Sequence, residues 1–255
     1  MNKKPFILLY LLVFSSLLIY GQRPEADTFK TKKGDLMIQP ILHGTLVMQF
    51  NGKMIYVDPY GGAEAFEGIA KPDLILITDI HGDHLNEKTL DALDTKGIKI
   101  IAPQAVADQI SDKYKSQMIV MANGENSKQL GIGIEAIPMY NLPESADAKH
   151  AKGRGNGYLL EMGKKKVYIS GDTAGIEEMR NLQHVDIAFV CMNLPYTMDV
   201  KEAASAVLDF KPGIVYPYHY RGNPDMSDTE VFKSLVNLGS TDIEVRLRNW
   251  YPEYE

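Results

Sequence analysis

The chain has 255 residues, 45% of them apolar, with 27 basic and 33 acidic side chains and a formal charge of −6. This suffices for one large domain with a sizeable core. An acidic chain without a Lys/Arg run is unlike a nucleic-acid binder, and a single cysteine, Cys191, excludes an intramolecular disulfide.

Lys3 and Lys4 precede an apolar run over residues 6–20, and Gly21 and Gln22 follow. Residues 1–21 read as a signal peptide cut after Gly21, because the run is shorter than the ~20 residues a membrane span needs. The alternative is an uncleaved anchor. Cleavage removes two lysines and leaves 25 basic against 33 acidic groups, a charge of −8. The mature protein is then expected in the periplasm or outside the cell, without a stable membrane span.

Residues 22–34 are polar and read as a flexible lead-in to one domain over 35–255. Residues 36–50 and 53–57 read as a β-hairpin about Asn51-Gly52, a strong hairpin signal. Residues 58–62 form a loop and 74–77 a buried strand. Residues 86–95 read as a helix capped by Asn86, 98–101 as a strand and 103–111 as a helix. Short strands follow near 117–121 and 131–137, then a second hairpin, 158–160 with 167–170, about Gly163-Lys164. Beyond it, strands at 186–190, 213–218 and 243–247 alternate with helices at 200–208 and 229–238. Hairpins followed by strand–helix alternation occur roughly twice, which predicts two packed sheets with helices outside.

The strand at 74–77 runs directly into Thr78-Asp79-Ile80-His81-Gly82-Asp83-His84. Four metal-ligating side chains within six residues are poorly explained by packing. Buried polar groups need partners, and a divalent cation can serve all of them. Further polar residues stand near predicted strand ends or in the loops between strands: His150 before the Gly153–Gly157 segment, Asp172 after Gly171, and His219 after Tyr218. The bland alternatives are helix capping for the cluster, a turn aspartate for Asp172, a loop residue for His150 and a core histidine for His219.

Thr78 to His84 resembles the His-x-His-x-Asp-His signature of the metallo-β-lactamase superfamily. Asp172 resembles its bridging aspartate, and His150 and His219 its later histidines. The early segment from 41–44 through 56–59, and His150 through Asp172, look like the ascorbate-6-phosphate-lactonase-like branch. The resemblance covers about residues 35–250. It implies an α/β fold, a four-layer αββα sandwich, with two divalent metal ions at one edge, zinc first, manganese or iron as alternatives. The implied ligands are Asp79, His81 and His150 for the first ion and Asp83, His84 and His219 for the second. Asp172 bridges both. Asp83 is also the implied proton acceptor or orienting group for a hydroxide between the metals.

Asp79 departs from the signature, which has histidine there. Two divalent ions and one hydroxide sum to +3, and three aspartates cancel this. Asp79 is therefore expected to weaken the first metal position and to favour neutral or singly charged substrates over phosphate dianions.

His43 reads either as a core histidine or as a donor behind the site. His184 reads as surface. Arg154 and Asn156 sit in a glycine-rich loop that lacks the Lys-Ser/Thr of a phosphate cradle. No Gly-x-Ser-x-Gly occurs, so a serine hydrolase is discounted. The leading expectation is a metal-dependent hydrolase of an ester, lactone or amide in a small-molecule substrate. A phosphodiesterase is the nearest alternative. A non-catalytic metal-binding module is the competing class, kept open by Asp79.

Overall fold

The structure is a computed structural model that describes residues 23–252, so the expected signal peptide lies outside the described residues. Seven strands form the first sheet in chain order: β1 (Asp27–Thr31), β2 (Gly34–Leu42), β3 (Thr45–Phe50), β4 (Lys53–Val57), β5 (Leu74–Leu76), β6 (Lys99–Ala102) and β7 (Met118–Val120). Pairing is antiparallel through β4 and parallel from β4 to β7. The second sheet repeats the scheme with β8 (Asn126–Gln129), β9 (Ile132–Met139), β10 (Gly155–Met162), β11 (Lys165–Ile169), β12 (Ile187–Cys191), β13 (Ile214–Tyr218) and β14 (Glu244–Val245). There the pairing is antiparallel to β11 and parallel beyond it.

Strand alternation builds the layers. Leu46, Met48, Ile55, Val57, Leu74 and Leu76 enter one cluster with Ile134, Tyr158 and Leu160 of the other sheet. Their neighbours Val47, Met54, Tyr56, Ile75 and Ile77 point to the opposite face. Helices α1 (Glu87–Ala92), α2 (Gln104–Gln109) and α3 (Asp112–Lys115) cover that face with Leu90, Val106 and Tyr114. Helices α4 (Glu177–Arg180), α5 (Val200–Phe210) and α6 (Thr229–Gly239) cover the second sheet with Met179, Val207, Phe210, Phe232 and Val236. The expected αββα layering is thus present. Among the described residues no helix is long and apolar enough to cross a membrane.

Two expectations are corrected. Residues 27–31 are not a flexible lead-in. They pair along their whole length with β2 and bury Phe29, and Asp27 accepts hydrogen bonds from Tyr216, Arg246 and Arg248. A polar strand at a sheet edge offers only one face to the core, so its composition resembles a loop. Residues 36–50 are not one strand but two, reversed at His43-Gly44. His43 has φ 58°, and a Cβ on Gly44 would meet His219 Cδ2 at 2.8 Å. The turn needs a left-handed residue and then one without a side chain.

The carboxyl ends of β5, β11 and β13, the loop after β9 and the β2–β3 turn deliver their polar residues to a common edge of the two sheets, as the contacts below show. Phe29→Ala is expected to cost roughly 3 kcal/mol, the scale of emptying a buried aromatic site. Urea unfolding checks this, and an unchanged midpoint would return the segment to a dispensable tail.

Candidate metal centre

Asp58 directly follows β4 with φ 45° and is fully buried. Its Oδ1 accepts from the Thr78 backbone N–H at 2.8 Å, and its Oδ2 from Thr78 Oγ1 at 2.5 Å. The same Oδ2 lies 2.8 Å from His84 Nδ1. One carboxylate therefore fixes both the start of the motif and the ring of its last histidine, leaving His84 Nε2 to face the cluster.

Asp172 is the hub. Its Oδ2 lies 3.2 Å from His150 Nε2 and 3.5 Å from His84 Nε2, and its Oδ1 lies 3.5 Å from His219 Nε2. Around it, Asp79, His81 and His150 form one set of ligand atoms close enough to hold an ion. His84, Asp172 and His219 form a second, and His43, Asp83 and His219 a third. All seven predicted ligands meet here. The first expected trio is observed as such. In the second, Asp83 stands with His43 and His219, while His84 faces Asp172 and lies 3.9 Å from Asp83.

His84 Nε2, both ring nitrogens of His150, His219 Nε2 and Asp172 Oδ1 are buried without a hydrogen-bond partner. Orphaned polar atoms normally carry a heavy desolvation cost. Here the Nε2 atoms of His84, His150 and His219 converge on Asp172, and imidazole with carboxylate is a donor set that suits zinc, with manganese and iron also compatible. The residues present therefore fit divalent cations.

Charge is distributed accordingly. Burial opposes ionisation of Asp172, but the charges of His219 and His84 outweigh it and hold the carboxyl well below its usual range. For Asp83, burial opposes ionisation, but the His219 ring 3.4 Å away and the hydrogen bond from His43 outweigh it and hold the carboxyl below its usual range. Burial also opposes a proton on His84, yet Asp172 and Asp58 raise its pKa well above the ordinary value.

Sequence reasoning left His43 undecided and did not single out Tyr251. Tyr251 Oη accepts the Arg221 backbone N–H at 3.0 Å and lies 2.7 Å from His43 Nδ1. Nδ1 accepts from that hydroxyl, because the Asp83 carboxylate can only accept and so requires the His43 proton on Nε2. That atom lies 3.0 Å from Asp83 Oδ2. Burial, then the neighbouring His219, lowers the pKa of His43 to about 4, so the ring is neutral at physiological pH. His43 is a donor behind Asp83, one of the two readings its position allowed. No local signal could have found Tyr251, which lies 208 residues from His43.

The glycine-rich loop is built for close approach. A Cβ on Gly157 would sit 2.9 Å from the Ile169 and Ser170 carbonyls, and Asn156 N donates to Thr78 O at 2.9 Å. The Asn156 side chain bonds to Met121 O and Asn123, so it is structural. Arg154 instead reaches Asp79. Tyr218 is buried and takes the Gly171 N–H, and His184 is exposed as expected.

The model of a beta-lactamase superfamily domain matches residues 38–219, a span that holds every one of these ligands. The chain belongs to the metallo-β-lactamase superfamily. A metal-dependent hydrolase of Pyrococcus abyssi is 34% identical over 197 residues, covering 72% of this chain and 85% of that relative. A crystal structure from Parabacteroides distasonis, of a protein assigned as a metal-dependent hydrolase, is 38% identical with TM-score 0.78. It covers 88% of this chain and 98% of that one. The metallo hydrolase Igni18 of Ignicoccus hospitalis is 26% identical with TM-score 0.70, covering 83% and 94%.

Two outcomes are expected of this superfamily member. Tyr251→Phe removes the hydroxyl that meets His43 Nδ1 and should weaken cation binding about 10- to 100-fold, measured by calorimetric titration with zinc. The raised pKa of His84 means a cation on Nε2 displaces a proton. Apparent affinity should then rise with pH up to that pKa, and calorimetry in buffers of different ionisation enthalpy should register proton release.

Proposed function

We propose that the chain is an exported metal-dependent hydrolase that cleaves a carboxylic ester, lactone or amide at a centre for two divalent ions, zinc first. The observation that carries this reading is the convergence of unpartnered His84, His150, His219 and Asp172 atoms in a buried cluster. Bound divalent ions supply Lewis acidity toward a carbonyl oxygen and lower the pKa of water. His81, His150 and Asp79 would hold one ion, and His84, His219 and Asp83 the other, with Asp172 shared.

Access is set by burial. The side chains of Asp79 and Asp172 are 0% and 5% exposed, whereas Asp83 and His81 are each 31% exposed. Asp83 is therefore the carboxylate of the cluster that solvent reaches most readily. Its Oδ2 is held by His43 Nε2, which orients the group to take a proton at Oδ1.

Three of the exposed large apolar side chains among the described residues, Leu142, Leu194 and Met226, are on loops leaving the site. Asn141 Nδ2 donates to Tyr196 O, and Asn223 N to Leu194 O, which ties these loops together. Such a margin favours a substrate with an apolar flank over a dianion.

The test is turnover of p-nitrophenyl esters, lactones and bis-p-nitrophenyl phosphate with added zinc or manganese. Esters or lactones should lead, and His84→Ala should lose about 10²-fold or more, the scale of removing one preorganised group. Leadership by the phosphodiester would move the reading to a phosphodiesterase, and no turnover with any metal would leave a binding module. Export predicts a mature N-terminus at Gln22 in the extracytoplasmic fraction, read by N-terminal sequencing.

A further inference from the structure

Asp79 is fully buried and makes two unequal kinds of contact. Toward the cluster, its Oδ2 lies 2.6 Å from His81 Nδ1 and 3.8 Å from His150 Nε2. Away from it, Arg154 approaches with a fork, Nε at 3.3 Å from Oδ1 and Nη2 at 3.2 Å from Oδ2. The guanidinium is placed independently of Asp79, because Nη2 also donates to the Lys149 carbonyl and the Arg154 backbone N–H is tied to Ala151 O at 3.2 Å. Arg154 is itself only 22% exposed.

We infer that Arg154 is the counter-charge of the Asp79 side of the centre, so that Asp79 and Arg154 together present a nearly neutral oxygen donor rather than a third full anion. The charges support this. Asp79, Asp83 and Asp172 bring −3 to the cluster, and Arg154 returns it to −2. A guanidinium fixed beside the carboxylate withdraws its charge from any cation that shares it. The centre then gives up affinity at one position and keeps its positive field. The same pair corrects the simple expectation that Asp79 must cancel the charge of two ions. Arg154 is a positioning residue, acting only through Asp79.

The inference rests on the reading of the cluster as a metal centre, and its test separates the two. Metal-free protein is titrated with zinc alone, and with manganese alone, in wild type, Arg154→Gln, Asp79→Asn and the double variant. Affinity is read by calorimetry and stoichiometry by elemental analysis. Arg154→Gln should tighten the weaker of the two positions about tenfold or more, since Asp79 is released to the cation. Asp79→Asn should weaken that position by at least as much, because an unpaired guanidinium then faces it. Removing Arg154 as well should recover part of that loss. A merely structural role for Arg154 would give the opposite sign, weaker binding in Arg154→Gln. Arg154→Lys keeps the charge and should stay within about threefold of wild type, which covers the case where the Gln variant folds poorly. Unchanged or weaker binding in Arg154→Gln, or a double variant as weak as Asp79→Asn, overturns the inference while leaving the metal centre standing. A wild-type protein that binds neither metal overturns both.

Discussion

The arrangement depends on one buried carboxylate that faces no cluster atom except through a histidine. Asp58 is fully enclosed, and burial of an unsatisfied charge is prohibitive. Its oxygens are spent on the Thr78 amide, the Thr78 hydroxyl and the His84 ring. Those bonds tie the end of β4 to the end of β5 and aim one imidazole at Asp172. The Thr78 carbonyl then receives the Asn156 amide from β10 of the other sheet. The polar network is continuous from one sheet to the other, and each member satisfies its neighbour.

Backbone strain is concentrated at the same place. His43, Asp58 and His219 all have positive φ, at 58°, 45° and 47°. A side-chain-bearing residue held there costs free energy and persists only where surroundings fix it. Here the fixing bonds are visible. His219 N donates to His43 O at 3.2 Å, His43 N to Trp250 O at 3.0 Å, and Asp58 N to Leu76 O at 2.9 Å. The two rings of His43 and His219 lie 3.9 Å apart as a result. Strand geometry alone would splay these side chains, so the left-handed residues turn them inward.

Much of this was readable in the chain and some was not, for physical reasons. Apolar strands ending in ligand-type residues are local patterns, which is why Asp79, His81, Asp83 and His84 stood out, and why both hairpins about Asn51-Gly52 and Gly163-Lys164 are where expected. Boundaries shifted by up to three residues, as at Gly155–Met162 and Glu87–Ala92. Residues 27–31 escaped because one buried phenylalanine among polar neighbours carries no periodic signal. The break at His43-Gly44 escaped because the apolar residues on either side of it read as one run. Arg154 and Tyr251 escaped for a different reason. Their meaning lies in partners 75 and 208 residues away, and no local composition encodes such a pairing.

The distance in sequence between His43 and Tyr251 has a consequence for the life of the molecule. The 207 residues between them, with all seven clustered side chains, must be made before the Tyr251 hydroxyl can reach His43. A half-made chain owns most of the ligands but not their final orientation. The donor arrangement is therefore complete only once the segment that carries Tyr251 has docked.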